Sequence, residues 1–373
     1  MTLDELLKLL DSTPAIADIH PVSISYLPAD VVLLDSAAKA AWLLDDPKPT
    51  LPTRLLIKPP VTGYDGRFPH VKCSHDPFTS ELNAFLFERF DTLASSMLCQ
   101  SQLAAHIADH AAEQDVIVLY LLDGLSYQDI CSVVPRALMH ATVEPCLVDV
   151  PTLTRLAFPN IIGSPALALR LFNAGYHHRL GFTYWSREDN QLTDILFSTI
   201  TDVKKVADFT ETLATLRDYW TAIGHRKSYV QILRTGLDSY AHGQRRRPPV
   251  AAIVDEIVRE FGQLALLCAE LFGESGLKCS LYLTADHGIL WLDEFQPEIV
   301  GEAPANTSAR YCGWRELYYQ HETGRRFLTR DEELYCLGFP KLRRPLRLDE
   351  QGIHGGISFQ ESVVPFVRLR VGD

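Results

Sequence analysis

Short continuous apolar runs, each closed by a polar or turn-forming residue, set the rhythm of this chain from residue 116 onward. VIVLYLLD (116–123) is the clearest, an unbroken apolar stretch ending in an acid, which is the pattern of a strand buried on both faces. Similar runs recur at 145–149, 229–234 (YVQILR), 279–284 (CSLYLT) and 363–370 (VVPFVRLR). Helical patterns lie between them, most plainly 249–272, which follows Pro248 and carries apolar residues at three- and four-residue spacing. Strands alternating with helices predict an α/β fold, a mainly parallel central sheet sandwiched by helices. Upstream, residues 1–112 hold a short amphipathic helix, β-like runs at 22–27, 30–35 and 54–58, a Pro/Gly/Asp-rich loop from Pro59 to Pro77 and a long helical pattern over 79–112. Downstream, 290–353 is polar and rich in Arg, Tyr and Pro without strand rhythm, and reads as an insertion or cap over the sheet edge. The predicted division is therefore an N-terminal region, 1–112, and a main domain, 113–373, interrupted by that insertion.

Open α/β sheets place ligands beyond the carboxyl ends of their strands, so the residues after each apolar run carry the candidate chemistry. They are Asp123-Gly124-Leu125-Ser126, Pro151-Thr152-Leu153-Thr154-Arg155, Asp238-Ser239-Tyr240-Ala241-His242 and Thr284-Ala285-Asp286-His287-Gly288, with His354-Gly355-Gly356 ahead of the last strand. Together these deliver three carboxylates, three imidazoles and a hydroxyl to one sheet edge. So many ionisable groups would repel and lose hydration unless a cation lies between them, and a pair of divalent ions meets that need economically. Mixed carboxylate and imidazole donors suit Zn²⁺ first and Mn²⁺ second, and the absence of thiolates argues against a purely structural zinc. Singly each motif is weak, since DG is usually a turn and DxxxH usually a surface pair. All five in this order are hard to obtain by chance.

The succession DG, TxT, DxxxH, DHG and H resembles the alkaline phosphatase superfamily. Within it, VPTLTRLAFPNIIG (150–163), TADHG and HGGISFQESVVPF (354–366) look like the PglZ domain of prokaryotic phage-defence and signalling proteins. The resemblance covers about 114–290 and 348–373 and leaves 1–112 unmatched. It implies one metal held by Asp238, His242 and His354 and another by Asp123, Asp286 and His287, with Thr154 as the nucleophile bridging them. Thr152 is the competing threonine, but the related nucleotide phosphodiesterases use the second threonine of PTxT. Cys146 is followed by Leu-Val-Asp rather than completing a CxPxR motif, which removes a sulfatase reading. The implied activity is a metal-dependent phosphodiesterase or nuclease acting on nucleotides or oligonucleotides through a phospho-threonine, in phage defence alongside other defence proteins. A phosphomonoesterase and a catalytically silent metal-binding module of a defence complex are the alternatives.

Composition narrows the partners. With 35 Lys and Arg against 47 Asp and Glu, the net charge of -12 lacks the broad positive field of a non-specific duplex binder. Local basic groups are the exception: Arg155 follows the proposed nucleophile, and Arg245 and Arg246 follow His242, so these three are the candidate substrate-binding residues. Lys341, Arg343, Arg344 and Arg347 form a second cluster, and together they suggest a funnel for phosphate. The opening MTLDELLKLLDS has acids where an export signal has bases, and no run approaches the roughly 18 apolar residues of a membrane span. A cytoplasmic protein without membrane contact is expected, its eight scattered cysteines reduced and mostly buried. His106 and His110 read as a solvated helical pair, His177-His178 and Cys73-Ser74-His75-Asp76 as incidental neighbours. Trp291, just past TADHG, is placed where it could border a substrate cleft.

Overall fold

The computed structural model describes Val31–Leu34, Arg54–Ile57 and residues 77–131, 133–162, 165–184, 200–224, 226–242, 246, 248–292, 295–314, 323–329 and 332–372. The run at 22–27, the Pro59–Pro77 loop up to its last residue, Cys73 to Asp76, Trp185 and Arg245 lie outside the described residues. The chain divides into two compact units, Met1–Leu93 and Ala94–Asp373. In the first, Val31–Leu34 and Arg54–Ile57 pair in parallel, Val31 opposite Arg54, where two of the β-like runs were expected.

In the second unit the strands are β1 (Val116–Asp123), β2 (Thr142–Leu147), β3 (His178–Thr183), β4 (Asp202–Lys205), β5 (Ser228–Thr235), β6 (Cys279–Ala285) and β7 (Val363–Val371). They form one sheet in the order β2-β7-β6-β1-β5-β3-β4. The helices used below are α1 (Gln100–His110), α2 (Thr154–Ile162), α3 (Pro165–Asn173), α4 (Phe209–Ile223) and α5 (Val250–Phe272). β1 pairs in parallel with β5 and β6, and β3 in parallel with β5 and β4, whereas β7 runs antiparallel between β2 and β6. The fold is thus α/β with a mainly parallel central sheet and flanking helices. β1 sits at its centre with every residue but Asp123 buried, as its continuous apolar run predicts. α5 buries Ile253, Val254, Ile257, Val258, Phe261 and Leu264 in the three-and-four rhythm read from the sequence.

Two differences from the sequence reading have simple causes. The helical pattern over 79–112 breaks into Pro77–Ser96 and α1 because Cys99 takes an extended conformation and bridges Leu147, while the Leu147 amide donates to Leu98 at 2.8 Å. Residues 98–99 thereby cover the open edge of β2. α1 belongs to the large unit, with Leu103 and Ile107 fully buried in its main core. β3 and β4 escape the apolar pattern because β4, DVKK, is an exposed outer strand, where charge protects against further pairing.

The 290–353 segment is not without strands. It contains a three-stranded antiparallel sheet of Tyr311–Gly313, Glu333–Leu337 and Gly324–Leu328. Its two ends pair with each other, Leu290–Trp291 against Gly352–Ile353. That pairing returns the chain to the edge it left, so His354 arrives beside the end of β6 and β7 must re-enter the sheet running backwards. Trp291 is buried within this pairing, so it does not border a cleft. Trp220 is buried, its indole N–H donating to Ser228 at 3.0 Å. Among the described residues no helix is long and apolar enough to cross a membrane.

Candidate active site

Register brings the site together. Asp123 stands opposite Thr235 and Leu122 opposite Ala285, so the loops after β1, β5 and β6 leave the sheet at one level. Backbone bonds then stitch them: Asp286 N–H to the Leu122 carbonyl (3.2 Å), Leu125 N–H to that of His287 (2.8 Å) and Leu237 N–H to that of Gly124 (2.8 Å). Gly124 holds φ of +81°, and a Cβ there would lie 2.9 Å from the Asp238 nitrogen. At Gly288 a Cβ would lie 1.9 Å from the Gln360 carbonyl oxygen, a backbone atom that cannot step aside. Gly288→Ala is therefore expected to lower stability by about 3 kcal/mol and to reduce metal content, read by calorimetry and elemental analysis. A variant with the parental Tm and metal content would show that this approach is not rigid.

Two groups of side chains converge at this edge: Asp238, His242 and His354, and Asp123, Asp286 and His287, the ligand atoms of each group lying within 4.8 Å of one another. Among the described residues these are the groups of three or more such side chains. Asp238 Oδ1 stands 3.3 Å from Nε2 of both His242 and His354. His287 Nε2 stands 3.4 Å from Asp286 Oδ2 and 4.0 Å from Asp123 Oδ1. The rings of His287 and His354 stack at 3.9 Å and 7°, joining the two groups into one cluster. Nδ1 of His354 lies 2.7 Å from the Thr152 carbonyl and Nδ1 of His287 lies 3.1 Å from that of Gly288. A carbonyl only accepts, so each Nδ1 carries the proton and each Nε2 lone pair faces the cluster.

The electrostatics of this cluster call for a cation. Burial pushes the Asp286 carboxyl up to about 7, against the opposing amide of Gly124. Burial, reinforced by His354, pushes His287 down to about 3. Burial would also raise Asp238, but His354 and His242 hold it below the usual carboxylate range, and the Asp238 carboxylate in turn raises His242. Asp286 Oδ1 accepts from the amides of Gly124 and His287, both at 2.9 Å, whereas the buried Oδ2 meets no hydrogen-bond partner. An orphaned buried carboxylate oxygen beside imidazole lone pairs, in a set of oxygen and nitrogen donors without thiolate, fits divalent ions of the Zn²⁺ or Mn²⁺ kind.

A pH prediction follows from the same groups. In the metal-free fold the raised Asp286 contributes stability below about pH 4 that is lost as pH rises through about 7. A bound cation favours the ionised carboxylate and removes that loss. His287 is neutral as a ligand and neutral when free above about pH 3, so its linkage largely cancels between the two forms. The gap in Tm between metal-loaded and chelated protein should therefore widen from about pH 5 to about pH 7.5. Calorimetry across that range checks it, and a constant or narrowing gap would contradict the assignment.

The two threonines separate cleanly. Thr152 is fully buried, its Oγ1 accepting from Gly355 N–H at 2.6 Å and facing the Gly356 carbonyl at 3.4 Å. Thr154 is partly exposed at the first position of α2, its Oγ1 3.3 Å from His287 Nε2. Of the candidate substrate residues, Arg155 is exposed and paired with Glu332, and Arg246 is exposed. The second basic cluster is a correction to the funnel reading, because those residues are occupied within the insertion. Arg344 pairs with Glu350 at 2.6 and 2.8 Å, both side chains 3% exposed, Arg347 lies 3.1 Å from Glu350 and Lys341 3.8 Å from Glu298. Arg343 donates to the Tyr311 carbonyl. His110 Nδ1 bonds the carbonyl of His106, and among the described residues these two rings belong to no group of three or more metal-ligating side chains.

Sequence reasoning passed over several supports. Ser126 donates to the Gln360 carbonyl (2.8 Å) and accepts from Ile289 N–H (3.0 Å). Arg310 and Glu361 form a fully buried pair behind Gly356. Gln100 reaches the end of β6. The sequence signals were Ser126 at the end of DGLS and Glu361 inside QESVVPF, neither of which had a role assigned.

No family model matches this chain, and a search of curated proteins gives no match either. Among solved structures, murine ectonucleotide pyrophosphatase/phosphodiesterase 5 in an inactive form with AMP is 13% identical, covers 68% of this chain and 87% of its own, with a TM-score of 0.47. Phosphonoacetate hydrolase from Sinorhizobium meliloti 1021 is 13% identical, covering 68% of this chain and 90% of its own at a TM-score of 0.44. The C-terminal periplasmic domain of phosphoethanolamine transferase EptC from Campylobacter jejuni is 9% identical, covering 69% and 79% at 0.37.

Proposed function

We propose that this chain is a metal-dependent phosphoryl-transfer hydrolase of the alkaline phosphatase superfamily, and within it a PglZ-like phosphodiesterase acting on nucleotides or short oligonucleotides. The observation that carries the reading is Thr154, whose hydroxyl opens a nine-residue helix and faces the His287 Nε2 around which the two carboxylate–imidazole groups meet. Asp238, His242 and His354 would hold one ion, and Asp123, Asp286 and His287 the other, with Thr154 between them. Bound divalent ions would favour the ionised threonine oxygen and neutralise charge on the phosphoryl group. Thr154 Oγ attacks phosphorus, the ester oxygen departs with a proton, and a phospho-threonine forms. Water then attacks the same phosphorus, Thr154 Oγ leaves and regains its proton, and phosphate monoester is released. The positive end of α2 favours the anion that Thr154 approaches.

Arg155, the guanidinium next in sequence, is paired with Glu332 on the surface, and it would contact the phosphate by exchanging that weak pair. The reading extends to a cytoplasmic role in phage defence with other defence proteins, the extra N-terminal region ending near Leu93 rather than at 112, since α1 packs in the core of the catalytic domain. Hydrolysis of bis-p-nitrophenyl phosphate against p-nitrophenyl phosphate, with zinc or manganese added, tests the substrate class. Faster diester turnover is expected. A monoester preference of several orders would replace the diesterase with a phosphatase, and bound metal without turnover of either ester would favour the interaction module.

A further inference from the structure

Gln100, at the first position of α1, is a fully buried side chain that makes no contribution to the apolar core. Its amide nitrogen donates to the carbonyls of both Ala285 (2.8 Å) and Asp286 (2.6 Å), residues more than half the main domain away in sequence. Its Oε1 faces the Asp149 amide at 3.4 Å. Two acceptors on one side and a donor on the other leave the amide one orientation. Asp149 in turn accepts from Ser101 (3.3 Å) on α1 and from Asn160 (3.0 Å) on α2, the helix that Thr154 opens. The Asp286 carbonyl belongs to the peptide that joins Asp286 to His287. That peptide is gripped on both sides: its oxygen by Gln100, its N–H by the Asp286 carboxylate at 2.9 Å. Rotating it would swing Asp286 Oδ2 and His287 Nε2 apart, since both side chains spring from its two ends.

We propose that Gln100 is a positioning residue for the Asp286–His287 pair, fixing the plane of the peptide that carries both ligand atoms and tying it to the segment leading to Thr154. This rests on the metal-dependent reading above. The probe is Co²⁺ added to chelated full-length protein and followed by its visible absorption, which reports coordination geometry without turnover. Gln100→Met keeps the size of the side chain but removes the donor, and is expected to weaken Co²⁺ binding about 10- to 100-fold and shift the absorption bands. Leu103→Ala, a core substitution one turn along the same helix, is expected to lower Tm while leaving affinity within about twofold and the bands in place. Should Gln100→Met not fold, Gln100→Asn retains a polar group too short to reach and is expected to weaken binding in the same direction. Wild-type affinity and bands in whichever Gln100 variant folds would overturn the positioning role while leaving the metal site standing. Absence of Co²⁺ binding by the wild-type protein would overturn the metal-dependent reading, and this inference with it.

Discussion

Thr154→Ala is expected to lower phosphate-ester turnover by about 10⁴-fold or more while leaving bound metal and Tm close to the parent. The expectation rests on what the hydroxyl does and does not touch. Its Oγ1 faces the His287 Nε2 at 3.3 Å and the side chain is partly exposed, so an incoming phosphoryl group can reach it. It is not among the carboxylate and imidazole atoms that close around the candidate ion positions, which remain when it is removed. Thr152 cannot substitute, because its hydroxyl is buried and holds the Gly355–Gly356 backbone. Thr154→Ser, which keeps the oxygen, should retain measurable turnover. Elemental analysis beside steady-state kinetics reads both halves of the prediction. Near-parental turnover in Thr154→Ala would move the nucleophile elsewhere, and loss of metal would make Thr154 a ligand first.

The residues that meet at the site were legible because each ends, follows or precedes a strand that carries an apolar run. A central strand such as β1 buries both faces, so its sequence announces both its extent and the residue at its carboxyl end, Asp123. What holds those residues in place was not legible. Gln100 acts on Asp286 across 186 positions, and Arg310 reaches Glu361 across 51, separations at which no periodicity operates. The arginines illustrate the same limit from the other side. Arg344 looks available to a phosphate in a one-dimensional reading, yet Glu350, six residues on, folds back and takes it. Partners of long charged side chains are set by tertiary approach, whereas the ends of buried strands are set locally.

The largest loss of stability is expected from Arg310→Met. Arg310 and Glu361 are both fully buried, joined by Nε to Oε1 at 3.0 Å and Nη2 to Oε2 at 2.7 Å, with Nη1 donating to the Gly338 carbonyl at 3.1 Å. Glu361 Oε1 also accepts the Gly356 amide at 3.0 Å, and the Glu361 carbonyl accepts the Gly288 amide at 2.9 Å. One glutamate thus anchors the loop carrying His354 and the loop carrying Asp286 and His287, and Arg310 from the insertion is its counter-charge. Removing the guanidinium leaves a buried carboxylate unpaired, which costs about 3–5 kcal/mol and lowers Tm by on the order of 10 °C. Adding Glu361→Leu removes the stranded charge as well, so the double variant should recover a large part of that stability. It should not recover metal affinity, because the Gly356 amide then has no acceptor and the His354 loop is released. Calorimetry and metal content of the single and double variants separate these effects: equal Tm in Arg310→Met and the parent would show that the pair does not hold the insertion to the site, and full metal affinity in the double variant would show that the His354 loop is fixed by Thr152 alone.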